Sequence, residues 1–259
     1  GVESVSLDVE KLKAKGLYFL SPIGLLILWQ VLIMAGLGDR RFIPAPTDIV
    51  ASFIDITRTG ELKDHVSATL WRVFAGFFLG TIPAICIGLM MAMFRPVRIF
   101  FDPLIGMLFP IPKIALMPLL ALAFGFGDAS KIALVAIGVF FPVVVNTYAG
   151  AANIEKIYWD VAKNYGASSW IVFSRIVLFG SLPMIFAGLR IGIAVAFIVL
   201  IAAEFVATKL GIGFLIWNSW NLLQVDMMFA GIVTIGLLGL VFSLIIDGIE
   251  RLCIPWKAR

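Results

Sequence analysis

Two basic residues, Lys113 and Arg190, stand deep inside long apolar segments of the sequence. An ionisable side chain in such a segment is costly to bury in a membrane and is a candidate for function by default. Lys113 lies between Pro112 and Pro118, where a broken helix would free backbone groups to line a cavity. Both side chains are cationic, which would suit an anionic solute, and both are candidates for the path of such a solute. The alternative for each is a structural pair with a carboxylate or with carbonyl oxygens.

Arg72 and Glu204 are charged residues nearer the ends of apolar segments. Arg72 can extend its guanidinium to the polar boundary of a membrane while its stem stays apolar, which favours a structural role. Glu204 follows Arg190 by 14 positions, about 21 Å along a helix. A direct pair between these two residues within one helix is therefore excluded.

Residue patterns of covalent catalysis and of metal binding are missing. The one histidine, His65, stands in a polar stretch, where we expect it to be solvated. No Gly-Lys dipeptide occurs, which excludes a Walker A loop, and neither His-Glu-x-x-His nor Gly-x-Ser-x-Gly is present. Cys86 and Cys253 form no metal or disulfide pattern. We predict no catalytic residue, no metal site and no cofactor in this chain, so uphill transport would need an ion gradient or another subunit.

The composition is that of a polytopic membrane protein. Of 259 residues, 61% are hydrophobic and 14% are charged, and the mean hydropathy is +1.06. Soluble domains are about 45–50% apolar and about 25% charged. A soluble fold of this composition would expose large apolar patches, which a lipid bilayer can solvate. The formal net charge of +4 comes from scattered basic residues that form no stripe, so no nucleic-acid partner is expected.

The elements that must position these residues are apolar segments of transmembrane length. They predict six helices, near residues 17–37, 69–94, 101–124, 131–150, 176–207 and 229–249. Prolines interrupt the third, and Pro183 is expected to break the fifth near its start. Thr47 and Asp48 can cap a short helix after Pro46. Residues 211–228 are expected to form a loop in which Trp217, Trp220 and Asn221 are membrane-interface anchors.

Basic residues predict the orientation of these helices. If the N-terminus is cytoplasmic, the inner segments hold 11 Lys and Arg residues and the outer segments hold 6. Both termini are therefore expected inside, with residues 1–16 as a cytoplasmic segment, 17–250 as the transmembrane domain and 251–259 as a cytoplasmic tail. The apolar run after Gly16 is too long for the core of a signal peptide, so we expect it to be retained as the first helix.

The polar segment 151–175, between the fourth and fifth predicted helices, has the pattern of a helix, a turn and a second helix. Ile157, Val161 and Tyr165 share one stripe of the first helix, residues 154–165. Gly166 can end that helix in a left-handed conformation. Ser168 or Ser169 can then cap a second helix, residues 170–178. The pattern fits an ordinary amphipathic loop or a docking element for a cytosolic partner.

This segment resembles the EAA motif of permease subunits of binding-protein-dependent ABC importers. That motif reads Glu-Ala-Ala, three residues, Gly, nine residues, Ile, one residue, Leu-Pro. Here the matching positions are Asp160, Val161, Ala162, Gly166, Ile176, Leu178 and Phe179. Asp replaces Glu, Val replaces the first Ala and Phe replaces Pro, but the spacing of Ala162, Gly166 and Ile176 is kept.

Further segments resemble one branch of that family, which imports nitrate, sulfonates, taurine or bicarbonate. They are residues 42–50, 69–77, 110–119 and 188–192, and Ala203-Glu204-Phe205 followed by Gly211-Ile212-Gly213. The resemblance covers about residues 17–250. The solute stays open among nitrate, sulfonate, taurine, bicarbonate and aromatic carboxylates, and some relatives carry neutral or cationic heterocycles.

The resemblance implies an all-α permease with six transmembrane helices and a coupling helix between helices four and five. That helix would sit in a groove of a cytosolic ATPase, and the ATPase-coupling residues would be Asp160, Val161, Ala162, Gly166, Ala167 and Ser168. The ATPase would bind ATP and Mg²⁺, an extracytoplasmic binding protein would deliver the solute, and a second copy would complete a homodimer in the lipid bilayer of the bacterial inner membrane.

Two other classes of membrane protein are alternatives. An ion-coupled secondary transporter would have more carboxylates at mid-membrane depth, and here only Glu204, near a helix end, qualifies. A membrane-embedded enzyme would need His, Asp or Glu residues clustered near the interface, and the sequence has no such cluster.

Overall fold

The computed structural model describes residues 21–206 and 208–255, and within these ranges the chain is helical with no strand. The predicted segment 1–16, the start of the first predicted helix and the last four residues lie outside the described residues. The helices are α1 (Ser21–Met34), α2 (Pro46–Thr59), α3 (Glu61–Met93), α4 (Arg95–Leu108), a 3₁₀ turn (Lys113–Leu116), α5 (Met117–Phe124), α6 (Asp128–Ala152), α7 (Lys156–Asn164), α8 (Ser169–Ile171), a π-helical segment (Val172–Val177), α9 (Leu178–Val206), α10 (Ile212–Asn221) and α11 (Val225–Cys253).

Four of these helices are long and apolar enough to cross a membrane: α3, α6, the continuous helix Ser169–Val206, and α11. The pair Arg95–Leu108 and Lys113–Phe124 meets the same test together but is bent by 94° at its break. Within the described residues, helix α1 is apolar but shorter than a transmembrane span. The all-α polytopic fold is thus confirmed, and the count of six transmembrane helices stays a prediction.

The prolines of the third predicted span have unequal effects. Pro103 lies inside α4 without ending it, and Pro118 lies in the first turn of α5, where its missing N–H leaves no hydrogen bond unmade. The break falls at residues 109–112, which include Pro110 and Pro112. Each of these prolines removes a backbone donor that a continuous helix would need.

Two segments differ from the sequence-based expectation. Pro183 lies inside α9 and does not break it, and the irregular part of this long helix is the π-helical segment Val172–Val177 before it. Residues 212–221, expected to belong to a loop, form α10, so Trp217 and Trp220 stand on a helix. From composition alone, a short apolar helix beside glycines cannot be told from a loop. Tertiary contacts decide which of the two forms.

Contacts divide the described chain into two compact units, and residues 21–61 with 216–232 form the first. In this unit the Gln30 side-chain amide donates to the Thr47 hydroxyl (3.1 Å) and accepts from the Thr47 N–H (3.2 Å). The N-cap of α2 is Ala45, not Thr47, and the Asp48 carboxylate accepts the Ala45 N–H at 3.2 Å.

The connection between α1 and α2 also carries an exposed ion pair. The Arg41 guanidinium lies 2.8 Å from the Asp39 carboxylate, and both side chains are exposed. The side-chain hydrogen bond from Arg41 lowers the pKa of Asp39 below its ordinary value. Exposed pairs of this kind contribute little to stability.

Residues 62–215 and 233–255 form the second unit. Its core is built on α6 and α9, which run antiparallel: Gly150 approaches Ser181 and Met184, whereas Gly138 approaches Val195 and Val199. Lipid tails are as apolar as the side chains, so helices in a bilayer associate through close packing of small residues.

Helix α3 also packs closely on α6 through glycines. A Cβ atom added to Gly76 would lie 2.6 Å from Val135 Cβ and 2.8 Å from the Ile132 carbonyl oxygen. Gly80, one turn further along α3, faces the Ala136 carbonyl at similarly close range. Helices α3, α6 and α9 therefore form one packed body that holds the charged residues in place.

Candidate functional site

The segment 151–175 contains a short helix that ends as the sequence predicted. Helix α7 spans Lys156–Asn164, and Gly166 follows it with φ +66°. The Gly166 N–H donates to the Lys163 carbonyl (3.1 Å), and the Ala167 N–H donates to the Ala162 carbonyl (2.9 Å). These two bonds make a Schellman motif, whose left-handed residue is most easily glycine.

The chain restarts as helix immediately after this turn. The Ser168 hydroxyl accepts the Ile171 N–H at 3.4 Å and caps the single turn Ser169–Ile171. The predicted helix at 170–178 is present, and over Val172–Val177 it has π geometry, which the sequence did not predict. Single π-helical turns are frequent at functional sites.

Helix α7 exposes an apolar stripe. Ile157, Val161 and Tyr165 are exposed, with Tyr165 at 88% of its full accessibility. Trp159 on the opposite side packs on the buried cluster that contains Leu89 and Val177. Apolar surface of this kind marks interaction sites.

The six predicted coupling residues differ in exposure. Asp160, Val161, Gly166 and Ser168 are exposed, Ala167 is half-buried, and Ala162 is buried. The Ala162 side chain thus anchors α7, whereas the exposed residues lie where a partner could contact them.

Lys113 lies at the break of the bent pair. Its ammonium donates to the carbonyls of Leu108 (2.8 Å), Phe109 (3.0 Å) and Ile111 (2.8 Å). It also lies 4.3 Å from the centre of the Phe141 ring of α6. The carbonyls at the end of a helix have no partner within it. Lys113 supplies donors to those carbonyls and stabilises the bend, which matches the alternative of pairing with carbonyl oxygens.

A cavity of about 480 Å³ opens beside Lys113. Its walls are almost wholly apolar and come from α3, α6 and the bent pair; they include Leu79, Pro83, Leu116, Ile137, Phe140 and Phe141. Within the described residues no carboxylate lies within ion-pair distance of Lys113. Its hydrogen-bond acceptors are neutral carbonyl oxygens. The positive charge of Lys113 therefore has no negatively charged partner among the described residues.

Arg190 has a different environment. Its guanidinium lies 2.6 Å from Asp247 and 2.6 Å from Glu250, both on α11. This is the carboxylate pairing that the sequence left open as the alternative. The two acidic side chains more than balance the positive charge of Arg190.

Arg72 is buried, with 5% of its surface exposed. It donates to the Glu204 carboxylate (2.6 Å), the Asp128 carboxylate (2.8 Å) and the Leu210 carbonyl (2.7 Å). The structural role was predicted from the sequence, and its partners were not. Arg72 joins α3 to α6, to α9 and to the connection that precedes α10.

Glu204 is fully buried and accepts from the Thr69 hydroxyl (3.0 Å) and the Gly213 N–H (2.9 Å) in addition to Arg72. His65, expected to be solvated, is buried on α3, and its Nδ1 accepts the Gly211 N–H at 3.1 Å. Sequence reasoning missed this site because its members are far apart in the chain.

The spacing of Glu204, Gly211 and Gly213 is a sequence signal that could have revealed the cluster. A Cβ atom on Gly213 would lie 2.7 Å from Glu204 Cβ, and one on Gly211 would collide with the Glu204 carboxylate. Both positions must therefore be glycine for the carboxylate to reach the start of α10. Within the described residues, no group of His, Cys, Asp and Glu side chains could hold a metal ion.

Comparison with known families assigns the chain. Residues 84–258 match the sequence profile of the family described as binding-protein-dependent transport system inner membrane component. The chain belongs to this family. The resemblance inferred from the loop motif is confirmed, and the protein is a membrane-spanning permease of the ABC importer type.

Several relatives cover nearly the whole permease. A protein of Escherichia coli K12 named for aliphatic sulfonates transport is 34% identical over 91% of this chain and 90% of its own length. The taurine transport system permease of the same strain is 31% identical over 91% of this chain and 87% of its own. A nitrate import permease of Synechocystis is 28% identical over 91% of this chain and 88% of its own.

A solved structure shares the fold of the permease. The crystal structure of an amino acid ABC transporter with histidines aligns with a TM-score of 0.56 at 15% identity. The alignment covers 77% of this chain and 96% of that chain. The helical arrangement described above is thus the fold of an ABC transporter permease.

Proposed function

We propose that the permease forms the translocation pathway for a small anionic solute of the nitrate, sulfonate, taurine or bicarbonate type. An extracytoplasmic binding protein delivers the solute, and a separate cytosolic ATPase binds ATP and Mg²⁺ and supplies the energy. This chain performs no chemistry of its own. The observation that carries the ATP-driven part of the proposal is the exposed apolar stripe of α7, whose angle to the following helix is fixed by the Schellman motif.

The stripe supports docking of α7 in a groove of the ATPase. The residues that would contact the ATPase or set the orientation of the loop are Asp160, Val161, Gly166, Ala167 and Ser168. The buried Ala162 would fix α7 to the rest of the permease. Because α7 lies between two helices of transmembrane length, movement of the docked loop would pass directly into both.

The uncompensated charge of Lys113 supports an anionic solute. A unit charge about 6 Å from an anion contributes about 3 kcal/mol at an effective dielectric constant near 20. The apolar walls of the adjoining cavity keep that attraction from being screened by water. Arg190 remains a candidate for the path, but its two carboxylate partners weaken its field.

Ion-coupled secondary transport is the alternative, and the carboxylates of the long helices argue against it. Glu204 is paired with Arg72, and Asp247 and Glu250 are paired with Arg190. A carboxylate that carries a coupling ion must be free to exchange it, whereas these are held by guanidinium groups.

We further propose that both termini face the cytoplasm of a bacterial cell and that two copies of this chain form the pathway. The excess of basic residues in the segments predicted to be inside supports the orientation. The match of one chain to nearly the whole length of its relatives supports the homodimer.

Uptake by proteoliposomes tests the function. The permease is reconstituted with its ATPase, and labelled taurine, an alkanesulfonate, nitrate and bicarbonate are offered with their binding protein. We expect uptake of one of these anions to require ATP and to persist when ionophores collapse the ion gradients. Uptake that is lost with the gradients and is indifferent to ATP would favour the secondary transporter.

A further inference from the structure

Four side chains of the second unit form a polar cluster that the proposed function does not use. We call Thr69, Arg72, Asp128 and Glu204 the Arg72 cluster. It takes two residues from α3, the first residue of α6 and a residue near the end of α9. The backbone before α10 completes it, because Arg72 donates to the Leu210 carbonyl and Thr208 hydroxyl and Glu204 accepts the Gly213 N–H.

We call residues 151–175, which contain α7, the coupling loop. The Arg72 cluster and the coupling loop lie at opposite ends of α6 and α9. Helix α6 runs from Asp128 in the cluster to Ala152 at the loop, about 36 Å at 1.5 Å per residue. Helix α9 returns from Leu178 at the loop to Glu204 in the cluster, about 39 Å. The two helices pack closely along this length, as Gly138, Gly150 and Gly188 show.

Burial makes the central pair hard to separate. The Arg72 and Glu204 side chains are 6% and 0% exposed, whereas Asp128 is 50% exposed. Removing one partner of a buried pair strands the other charge without a counter-charge. The remaining oxygen capacity of Glu204 is taken up by Thr69 and the Gly213 N–H, so the pair is also satisfied by hydrogen bonds.

The cluster holds the start of α10 directly. The Thr69 hydroxyl accepts the Ile212 N–H at 2.8 Å, and Glu204 accepts that of Gly213 at 2.9 Å. Both donors belong to the first turn of α10, where N–H groups lack partners within the helix and a negative charge is favourable. The first turn of α10 is thus bound to α3 and α9 by side chains, in addition to the short chain connection.

We propose that Arg72 and Glu204 are positioning residues for transport, which lock the far ends of α3, α6 and α9 to the start of α10. A displacement that enters at the coupling loop then reaches α10 instead of being lost at flexible helix ends. The pair acts through these helices and contacts no solute. This inference rests on the proposed ATP-driven function.

The test measures ATP hydrolysed per solute imported by reconstituted complexes, normalised to assembled complex. Glu204→Gln keeps the size of the side chain and removes its charge. We expect uptake to fall about tenfold or more while ATP hydrolysis changes less than about twofold, in the range of typical coupling free energies. Asp39→Asn is the matched control, because it makes the same carboxylate-to-amide change in an exposed ion pair and should leave the ratio unchanged.

A second variant covers the case in which Glu204→Gln fails to assemble. Arg72→Gln with Glu204→Gln removes both charges, so neither is stranded. We expect this complex to assemble and still to hydrolyse ATP without proportionate uptake. A wild-type ratio in either variant overturns the inference. So does a parallel loss of uptake and hydrolysis, or the failure of both variants to assemble, because the cluster would then serve folding alone. Absence of ATP-dependent uptake in the wild type would instead refute the proposed function.

Discussion

Three basic residues within apolar segments of the sequence have two different kinds of partner. Lys113 donates to carbonyls at a helix break, Arg190 faces two carboxylates of α11, and Arg72 is shared between Glu204 and Asp128. In the sequence each is a cation among apolar residues, with Lys113 and Arg190 deep in their segments and Arg72 nearer an end. The partners decide whether the charge is cancelled, and among these three only Lys113 keeps a field that an anion could experience.

Replacing Lys113 tests that field. We expect Lys113→Ala to raise the KM for the imported anion about tenfold to a hundredfold, since about 1.4 kcal/mol corresponds to each factor of ten. Lys113→Arg should retain most of the affinity because it keeps the charge. Uptake kinetics in proteoliposomes give the answer, and a normal KM and kcat for Lys113→Ala would remove this residue from the pathway.

At the scale of elements, the loop that we propose couples the permease to its ATPase depends on one backbone conformation. Helix α7 ends in a Schellman motif at Gly166, and a single turn capped by Ser168 begins the long helix that follows. The angle between the two elements, and with it the direction in which the stripe of α7 faces, is set by these few hydrogen bonds. A Cβ atom added at Gly166 would have no other atom within 4 Å. The strain of a substitution there therefore comes from the backbone conformation alone.

The variant Gly166→Val tests the angle of the loop. A β-branched residue in the left-handed region costs about 1–3 kcal/mol, so we expect the turn to open, uptake to fall at least about tenfold, and membrane insertion to stay intact. ATP hydrolysis should persist without transport.

Two controls accompany this prediction. Gly166→Asn should retain transport, because Asn tolerates the left-handed conformation. Gly60→Val makes the same change at another positive-φ helix end, φ +83°, outside the loop, and should leave coupling normal. Unchanged uptake by Gly166→Val would contradict the assignment of this loop as the coupling element.

At the scale of the whole molecule, the helices expose much apolar surface that lipid or a second copy must cover. Large side chains such as Leu79, Ile198 and Leu240 are more than half exposed. Four of the described helices can span a membrane, and the bent pair makes a fifth span if it counts as one. A solute pathway needs walls on every side, which favours assembly of two such chains.

We expect two copies of this 28.3 kDa chain in the purified transporter. Native mass spectrometry of the complex with its ATPase measures the stoichiometry, and co-purification of an untagged copy with a tagged copy is an independent check. A single copy accompanied by a different permease chain would show a heterodimer instead.

The sequence was sufficient for the membrane class, most of the long helices, the family and the turn at Gly166. These follow from apolar runs, spacing within a few turns and the conformational preference of glycine, all of which are local. It also predicted that prolines interrupt the third segment, but not which of them do so. It was insufficient for the π-helical segment, α10 and the burial of His65. The start of α10 and the position of His65 depend on hydrogen bonds between side chains and backbone that are far apart in the chain.

The tertiary structure alone brought together Arg72 and Glu204, which are 132 positions apart. A buried charge is tolerated when a counter-charge and hydrogen-bond donors meet it in space, and no local pattern records that meeting. The scarce charge of this apolar chain predicted a membrane protein. The tertiary structure decided that Arg72 and Arg190 are paired with carboxylates, whereas Lys113 donates to backbone carbonyls.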